Sequence, residues 1–380
     1  MSLCPTDEAE VVAIVTEARG SGAQLAIRGG GTRGLAGPGT VVETTGLTGI
    51  TLYEPAEMVI SARAGTPVAE VQRRLAEKGQ MLAFDPMDHR TLLGRSGTPT
   101  IGAVAACNIS GSRRVSAGAA RDHLIGVRFV NGRGEIIKSG GRVMKNVTGL
   151  DLVKLSAGAH GTLGILTEVT FKVLPVPQTR MTLCLEGLTP ETALDAMTEA
   201  MATPFEVSAA ACLPGKDGPS QTLMRLEGFA DSCRYRFERL ADHLGTFGSA
   251  GEIAAGEDAG LWTSIRDAHA FAGTEYEHVL RVHVSPSGAH EIVSLAQGNG
   301  LAFTIDWAGG LIWLGVPAGV DIENIRERIV QGGGHLIHVR GATEARIPPA
   351  GAAVRALGQR IKQAFDPDGI FNPGLLAGHI

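Results

Sequence analysis

A run of three glycines directly after a short apolar strand constrains the fold of this chain more than any other feature. The strand is predicted over residues 25–27, and it is followed by Arg28, Gly29, Gly30, Gly31 and Thr32. Backbone N–H groups without a Cβ beside them can approach a pyrophosphate closely. The run lacks both the G-x-G-x-x-G of a Rossmann helix and the Lys-Ser/Thr of a P-loop, so it supports neither of those folds. Alone, it is also compatible with a plain flexible turn.

Two further glycine-rich tracts follow in a specific order. The second tract contains Thr98, Thr100, Ile101, Gly102, Cys107, Ser110, Gly111, Gly118, Arg121 and Asp122. The third, residues 158–165, ends in Gly164 and Ile165. The chain has 52 glycines without a Gly-X-Y period. This composition excludes collagen and indicates many tight turns and close backbone approaches, which a large cofactor would use.

Length and charge exclude several classes of protein. A chain of 380 residues predicts two or more globular units. The net charge is −5, and there is no basic run of the kind that a nucleic-acid surface needs, so nucleic acid is not expected as a partner. The five cysteines are odd in number, widely spaced and without a C-x-x-C, which argues against a disulfide framework, a zinc site or an iron–sulfur cluster in this chain.

The sequence also carries an expectation about location. The N-terminus shows no basic region followed by an apolar one, so no export signal is predicted. The most apolar stretch, residues 301–320, is interrupted by Asp306, Gly309, Gly310 and Pro317. We expect a cytoplasmic protein that contacts the inner face of a membrane only through partners.

Apolar spacing predicts the main elements. A helix is expected over residues 7–19, with Thr6 as its N-cap and Gly20 as its stop, and a second one from Thr66 and Pro67 to about Lys78. Residues 99–173 indicate short strands and turns with few helices. After Pro177, helices at 190–201, 232–244 and 322–331 alternate with strands at 181–185, 221–229, 279–284 and 311–316, which is typical of a separate α+β domain.

The three glycine tracts, taken in order and approximate spacing, resemble the FAD-binding domain of the vanillyl-alcohol-oxidase (PCMH-type) superfamily. Within it, residues 140–152, 164–175 and 362–374 are most similar to the FAD-binding subunit of bacterial glycolate oxidases. The resemblance is strong over residues 24–177 and 355–377 and weak between them.

The resemblance implies an α+β fold in three parts. A PCMH-type FAD-binding domain of two α+β subdomains would span 1–177, an α/β cap with an antiparallel sheet 178–345, and a segment returning to the FAD domain 346–380. It implies a noncovalent FAD held by Arg28, Gly29, Gly30, Gly31, Thr32, Pro86, Thr98, Thr100, Ile101, Gly102, Cys107, Ser110, Gly111, Gly118, Arg121, Asp122, Gly164, Ile165 and Asn372. Arg121 and Asp122 are also open to a structural role as a turn-stabilising ion pair.

Some relatives tether the flavin covalently through a histidine or a cysteine. The first loop here has no histidine, and for Cys107 a buried packing role is favoured over a thioether. Two histidine pairs invite a metal interpretation: His278 with His283, and His335 with His338 near Glu344. On a strand, positions i and i+3 or i+5 face opposite sides, so neither pair is expected to converge on one ion. No metal site is predicted, and the catalytic residues stay unassigned.

Two classes of function follow from the resemblance. In the first, the chain is an FAD-binding subunit of a glycolate oxidase, joined with a homologous FAD subunit and an iron–sulfur subunit, and takes part in the oxidation of glycolate to glyoxylate. In the second, it is a stand-alone FAD-dependent dehydrogenase of small 2-hydroxy acids such as D-lactate. A flavin-relay or scaffold role within the complex is a third possibility. The metal-binding histidine motifs of catalytic relatives are not recognisable, which favours a subunit role over independent catalysis.

Overall fold

A computed structural model describes residues 2–34, 37–141, 150–215, 218–341, 346–347, 349–376 and 378. Its strands are β1 Ser2–Leu3, β2 Leu25–Arg28, β3 Thr40–Glu43, β4 Ile50–Glu54, β5 Val59–Arg63, β6 Gln80–Met81, β7 Leu124–Val130, β8 Ile136–Gly140, β9 Ile165–Lys172, β10 Leu174–Pro175, β11 Thr179–Glu186, β12 Ala209–Leu213, β13 Gln221–Gly228, β14 Ala250–Glu252, β15 His278–His283, β16 Ala302–Asp306, β17 Leu311–Val316 and β18 His335–Arg340. Its α-helices are α1 Glu8–Ser21, α2 Val68–Ala76, α3 Arg90–Leu93, α4 Ile101–Ala106, α5 Arg114–Ala117, α6 Ala120–His123, α7 Leu152–Ser156, α8 Pro190–Ala202, α9 Ala230–His243, α10 Ala255–Arg266, α11 Ala289–Gly298, α12 Ile322–Gln331 and α13 Ala352–Phe365.

The chain divides into two compact units. Unit 1 comprises Met1–Ser110, Gly118–Val176 and Pro349–Ile380, and unit 2 comprises Gly111–Ala117 and Pro177–Pro348. Unit 1 contains a parallel sheet in the order β1-β3-β2 and an antiparallel sheet in the order β4-β5-β9-β7-β8. These two sheets, each with its helices, confirm the predicted α+β class.

Unit 2 contains an antiparallel sheet of eight strands in the order β14-β11-β13-β12-β16-β17-β15-β18. Alternate residues of its strands face opposite sides, as the pleat requires. Leu183 and Leu185 of β11 join the main apolar core with residues of α8, α9, α11 and α12, whereas Cys184 between them packs in a second cluster with Trp262 of α10. Burial on both faces explains why these strands are apolar almost throughout.

Several helix limits differ from the sequence prediction. The side chain of Asp7, not Thr6, caps α1 by accepting from the backbone N–H of Glu10, and the helix continues through Gly20 to a left-handed Gly22. Gly20 therefore lies inside the last turn, and the left-handed glycine that ends the helix comes two residues later. Thr66 does not cap α2; its hydroxyl donates to the backbone carbonyl of Arg63.

Other elements were not predicted at all. The helices α10, α11 and α13 and the strands β12, β16 and β18 belong to this group. Residues 142–149, which carry part of the family resemblance, and Glu344 lie outside the described residues. Within the part of the chain that is described, no helix is both long and apolar enough to cross a membrane.

Candidate functional site: a glycine-lined cavity

Unit 1 contains a cavity of about 260 Å³ behind the loop that follows β2. Eight of the residues predicted to bind the cofactor line it: Arg28, Gly29, Gly30, Gly31, Thr32, Gly102, Cys107 and Gly164. They come from all three glycine tracts. The tertiary structure therefore brings together, around one space, three segments that are far apart in the sequence.

The glycines of the first loop are required by close packing. A Cβ on Gly29 would lie 2.3 Å from the hydroxyl oxygen of Thr100, and a Cβ on Gly30 would lie 1.9 Å from the backbone carbonyl oxygen of Thr98. Gly31 has a φ of +72°, in the left-handed region that favours glycine. The loop is thus pressed against the second glycine tract. Gly30 is needed for this contact with backbone, whereas the sequence alone suggested that it clears space for a pyrophosphate.

The second tract turns into the short helix α4 at the cavity wall. Gly102 donates its N–H to the carbonyl of Ala64 at 2.8 Å, and a Cβ on Gly102 would lie 2.5 Å from the Cβ of Ala64. The hydroxyl oxygen of Thr100, just before α4, is buried and has no hydrogen-bond partner among the described residues. A group bound beside the loop could form a hydrogen bond with this oxygen.

The remaining predicted residues do not line the cavity. Ser110 accepts from the N–H of Ala120, and Asp122 accepts from the N–H of Ala119, so both shape the turn around α6. The carboxylate of Asp122 makes this contact with a backbone N–H, and the described residues show no ion pair between it and Arg121. Pro86, Thr98, Thr100, Ile101, Gly118 and Ile165 lie elsewhere in unit 1, and Gly111 lies in unit 2.

Asn372 connects the C-terminal segment to the cavity without lining it. Its side-chain oxygen accepts from the N–H of Ile27 at 2.7 Å, and its side-chain nitrogen donates to the carbonyl of His160 at 2.8 Å. The residue is 2% exposed, with a left-handed φ of 40° that asparagine tolerates better than most residues. Its amide therefore fixes both the start of the glycine loop and the turn that carries His160.

Sequence reasoning missed three cationic or titratable residues of the cavity wall, Arg33, Arg95 and His160. Arg33 and His160 act electrostatically on Cys107. Burial raises the pKa of the Cys107 thiol, but the guanidinium of Arg33 and the imidazole of His160 outweigh burial and bring this pKa down to about 6. Cys107 is half-buried and lines the cavity, and the packing role expected for it stays a prediction. The position of Arg33, directly after the loop, was the available signal.

The residues present fit a dinucleotide that carries a diphosphate. Nε and Nη1 of Arg33 are buried without a hydrogen-bond partner among the described residues, so two donors are available to an anion. Arg28 and Arg95 also line the cavity, and the guanidinium of Arg28 forms an ion pair with Glu43. The volume of the cavity lies slightly below the roughly 300–1,000 Å³ that is usual for small-molecule sites. A cavity of this size suits one section of an extended cofactor.

Comparison with known proteins identifies the group to which this site belongs. Residues 1–140 match the family model described as an FAD binding domain, which covers the first loop and the second tract. Glycolate oxidase subunit GlcE of Escherichia coli (strain K12) is 33% identical over 331 residues, which cover 86% of this chain and 84% of that protein. The chain belongs to the family of glycolate oxidase GlcE subunits.

Two other similarities place the GlcE family in a wider group. Glycolate oxidase subunit GlcD of Bacillus subtilis (strain 168) is 33% identical over 165 residues, which cover 43% of this chain and 33% of that one. An alkyldihydroxyacetonephosphate synthase structure superposes with a TM-score of 0.72 at 16% identity, over 97% of this chain and 75% of its own. The latter similarity shows the PCMH-type fold. This GlcE-family chain is accordingly an FAD-binding protein of an oxidoreductase family.

The histidines of unit 2 form pairs that the sequence did not predict. His278 of β15 and His338 of β18 lie on neighbouring antiparallel strands, and Nδ1 of His278 is 3.0 Å from Nε2 of His338. The other ring nitrogen of His338 contacts Nη1 of Arg326 at 3.1 Å. Burial, His278 and Arg326 lower the pKa of His338 to about 4. Both nitrogens of His338 are thus engaged, and no group of three or more metal-ligand side chains occurs within the described ranges.

A second cluster surrounds Trp307, which is buried. The guanidinium of Arg114 lies 4.6 Å from its ring centroid and that of Arg281 lies 5.1 Å away. His283 stacks on the same indole at 5.3 Å. Burial and the two nearby guanidinium groups lower the pKa of His283 to about 2, so this imidazole is neutral at physiological pH.

Asp306 precedes Trp307 and is almost completely buried. Its carboxylate accepts from the hydroxyl of Ser112 at 2.7 Å and from the N–H of Trp307 at 2.7 Å. Burial raises the pKa of Asp306 to about 6, although these two hydrogen bonds oppose the shift. A carboxyl that keeps its proton more readily in the folded chain destabilises the fold once it ionises.

We expect Asp306→Asn to stabilise unit 2 at pH 8 and to change its stability little at pH 4. Between pH 3.8 and about 6 the folded chain retains a proton that the unfolded chain releases, so the cost of Asp306 grows as pH rises and is complete above pH 6. Each pKa unit corresponds to about 1.4 kcal/mol, which sets an upper limit of about 3 kcal/mol. Thermal unfolding of both proteins from pH 4 to pH 8 measures the difference. A pH-independent difference would contradict this assignment.

Proposed function

We propose that this chain is the FAD-binding subunit of a multi-subunit glycolate oxidase and takes part in the oxidation of glycolate to glyoxylate. The similarity to GlcE over 86% of the chain carries the proposal. Its partners would be a homologous FAD subunit, of the kind that GlcD represents, and an iron–sulfur subunit that passes electrons on. A cytoplasmic location, with membrane contact only through these partners, completes the proposal.

The cofactor site proposed is the cavity of unit 1. The loop from Arg28 to Thr32 would hold the diphosphate, with charge from Arg28 and donors from Arg33. When bound, FAD accepts a hydride equivalent from the α-carbon of a 2-hydroxy acid, and the protein orients it. The FAD is proposed to be noncovalent, in a domain of residues 1–177 that the segment 346–380 rejoins, with residues 178–345 as the cap.

The predicted residues outside the cavity wall would support the FAD site indirectly. Asn372 would hold the glycine loop and the turn that carries His160 in their relative positions. Ser110 and Asp122 would shape the second tract. Thr98 would support Gly30 through its backbone carbonyl. These assignments rest on the hydrogen bonds and contacts within unit 1.

The histidines of unit 2 favour a flavin-carrying role over independent substrate oxidation. Proton abstraction from a substrate requires an imidazole that is free to accept a proton. His338 is engaged by His278 and Arg326, and a pKa of about 2 makes the imidazole of His283 too weak a base to take a proton from a substrate at physiological pH. We therefore propose that a homologous partner supplies the chemical step.

An absorbance spectrum of the purified chain, before and after anaerobic addition of glycolate, tests the proposal. We expect flavin bands that stay oxidised with the single chain and bleach when the homologous FAD subunit and the iron–sulfur subunit are added. Bleaching of the chain alone by glycolate or D-lactate would instead establish a stand-alone 2-hydroxy-acid dehydrogenase. A chain that binds no flavin even in the complex would contradict the proposal.

A further inference from the structure

Three residues with titratable or charged side chains line the same cavity: Cys107, Arg33 and His160. Cys107 ends the helix α4, and His160 is held beside it because its N–H donates to the carbonyl of Ala106 at 2.8 Å. His160 has a left-handed φ of 52°, which is uncommon for a residue other than glycine. Asn372 holds this turn from the other side through the carbonyl of His160. These two hydrogen bonds fix the backbone of His160 beside the end of α4, where Cys107 lies.

The environment of Cys107 is that of a reactive thiol. The thiolate is the nucleophilic form of cysteine, and cations beside it increase its population. Arg33 and His160 line the cavity together with Cys107, and their guanidinium and imidazole groups lower the pKa of the thiol to about 6 although burial raises it. Nε and Nη1 of Arg33 remain buried and without a partner among the described residues, so the guanidinium can contact an additional anion at this place.

The other cysteines of the chain differ from Cys107. Burial raises the pKa of Cys184 and of Cys212 to about 11, and it also raises the pKa of Cys233. Cys4 is exposed, next to the hydroxyl of Thr45. The chain thus provides internal controls within the same molecule: one cysteine that is exposed and three that are buried.

We propose that Cys107 is a peroxide-sensitive thiolate and that its oxidation and the binding of FAD in this cavity exclude each other. The thiolate attacks one oxygen of hydrogen peroxide; an S–O bond forms while the O–O bond breaks. The sulfur loses two electrons and becomes a sulfenic acid, and the hydroxide that leaves takes up a proton to give water. The unpartnered donors of Arg33 bind the departing oxygen. The oxygen added to the sulfur then projects into the cavity and competes with the cofactor for the same space.

The first part of the proposal does not depend on the proposed function. The full chain, freed of flavin, is treated with iodoacetamide at pH 6.5, and alkylation of each cysteine is followed by peptide mass spectrometry. We expect Cys107 to react at least ten times faster than Cys4, with Cys184, Cys212 and Cys233 slower still. Arg33→Gln and His160→Gln should each slow Cys107 severalfold at pH 6.5 and much less at pH 9. Equal rates for Cys107 and Cys4 at pH 6.5 would overturn the thiolate assignment.

The second part rests on the proposed placement of FAD in this cavity. Saturating FAD is expected to slow alkylation of Cys107 at least tenfold and to leave Cys4 unchanged. Conversely, treatment with hydrogen peroxide should convert Cys107 to a form that dimedone traps. It should also weaken FAD binding, measured by flavin fluorescence, at least tenfold. Dithiothreitol should restore the binding. Cys107→Ser, which retains the size of the side chain, should bind FAD equally before and after peroxide.

The outcomes separate the two parts. Rapid alkylation of Cys107 without protection by FAD would uphold the thiolate but refute mutual exclusion and place the cofactor elsewhere. Protection by FAD with unchanged binding after peroxide would refute the competition. Loss of FAD binding by peroxide in Cys107→Ser would assign the effect to another residue and overturn the proposal.

Discussion

Replacing Gly30 with alanine is expected to leave the purified chain without FAD, with an affinity at least a hundredfold lower. The new Cβ would lie 1.9 Å from the carbonyl oxygen of Thr98 and 2.8 Å from its carbonyl carbon. Both are backbone atoms, so no side-chain rotation relieves the clash, and the loop has to move away from the second glycine tract. The ratio of flavin absorbance to protein absorbance, together with an FAD titration, measures the loss.

Two other glycines serve as controls for this prediction. Gly20 lies in α1, and a Cβ added there would have no other atom within 4 Å, so Gly20→Ala should retain FAD and stabilise the helix by roughly 0.5–1 kcal/mol. Gly31 has open space but a φ of +72°, so Gly31→Ala should show a smaller loss than Gly30→Ala. Circular dichroism establishes that each variant is folded. A Gly30→Ala protein with a full complement of flavin would show that the loop does not hold the cofactor.

Replacing Asn372 with aspartate is expected to destabilise unit 1 by about 3 kcal/mol or more, since it leaves a buried charge without a compensating partner. The nitrogen that donates to the carbonyls of His160 and Ile27 becomes an oxygen that faces both of them. The new carboxyl keeps its proton in the folded chain more readily than in the unfolded one. The defect should therefore be small near pH 4 and grow as pH rises.

Thermal unfolding and FAD titration at pH 5 and pH 8 measure this effect. Flavin binding should fall together with stability because Ile27 precedes the glycine loop and His160 lines the cavity. Asn299→Asp is the matched control: Asn299 is exposed at the end of α11 and donates to one carbonyl, that of Leu295. An Asn372→Asp protein as stable as the control would show that the C-terminal segment does not maintain the cavity.

The features of this protein that could be predicted from sequence are those that residues close together in the chain specify. The strand and loop at 25–32 were predicted because apolar side chains followed by three glycines specify a short strand and a backbone without Cβ atoms. The helix α12 was predicted with its observed limits, Ile322–Gln331, because its apolar spacing lies within ten consecutive residues. The order of the three glycine tracts was sufficient to indicate FAD and the α+β fold.

Tertiary structure decided the contacts between distant segments. Asn372 bonds to Ile27, 345 positions away, and Arg33, Cys107 and His160 converge from three separate elements. The pairing of the histidines likewise could not be predicted from neighbouring residues alone. The sequence considered only pairs along one strand, whereas the register between β15 and β18 brings His278 next to His338.

Sequence by itself therefore determined some of the local elements, the type of cofactor and the family, since these follow from adjacent residues and the order of motifs. The wall of the cavity, the reactive surroundings of Cys107 and the pairing of the histidines were decided by the tertiary structure. The physical reason is that strand register and helix packing are set by the burial of the whole apolar surface, which no short segment specifies.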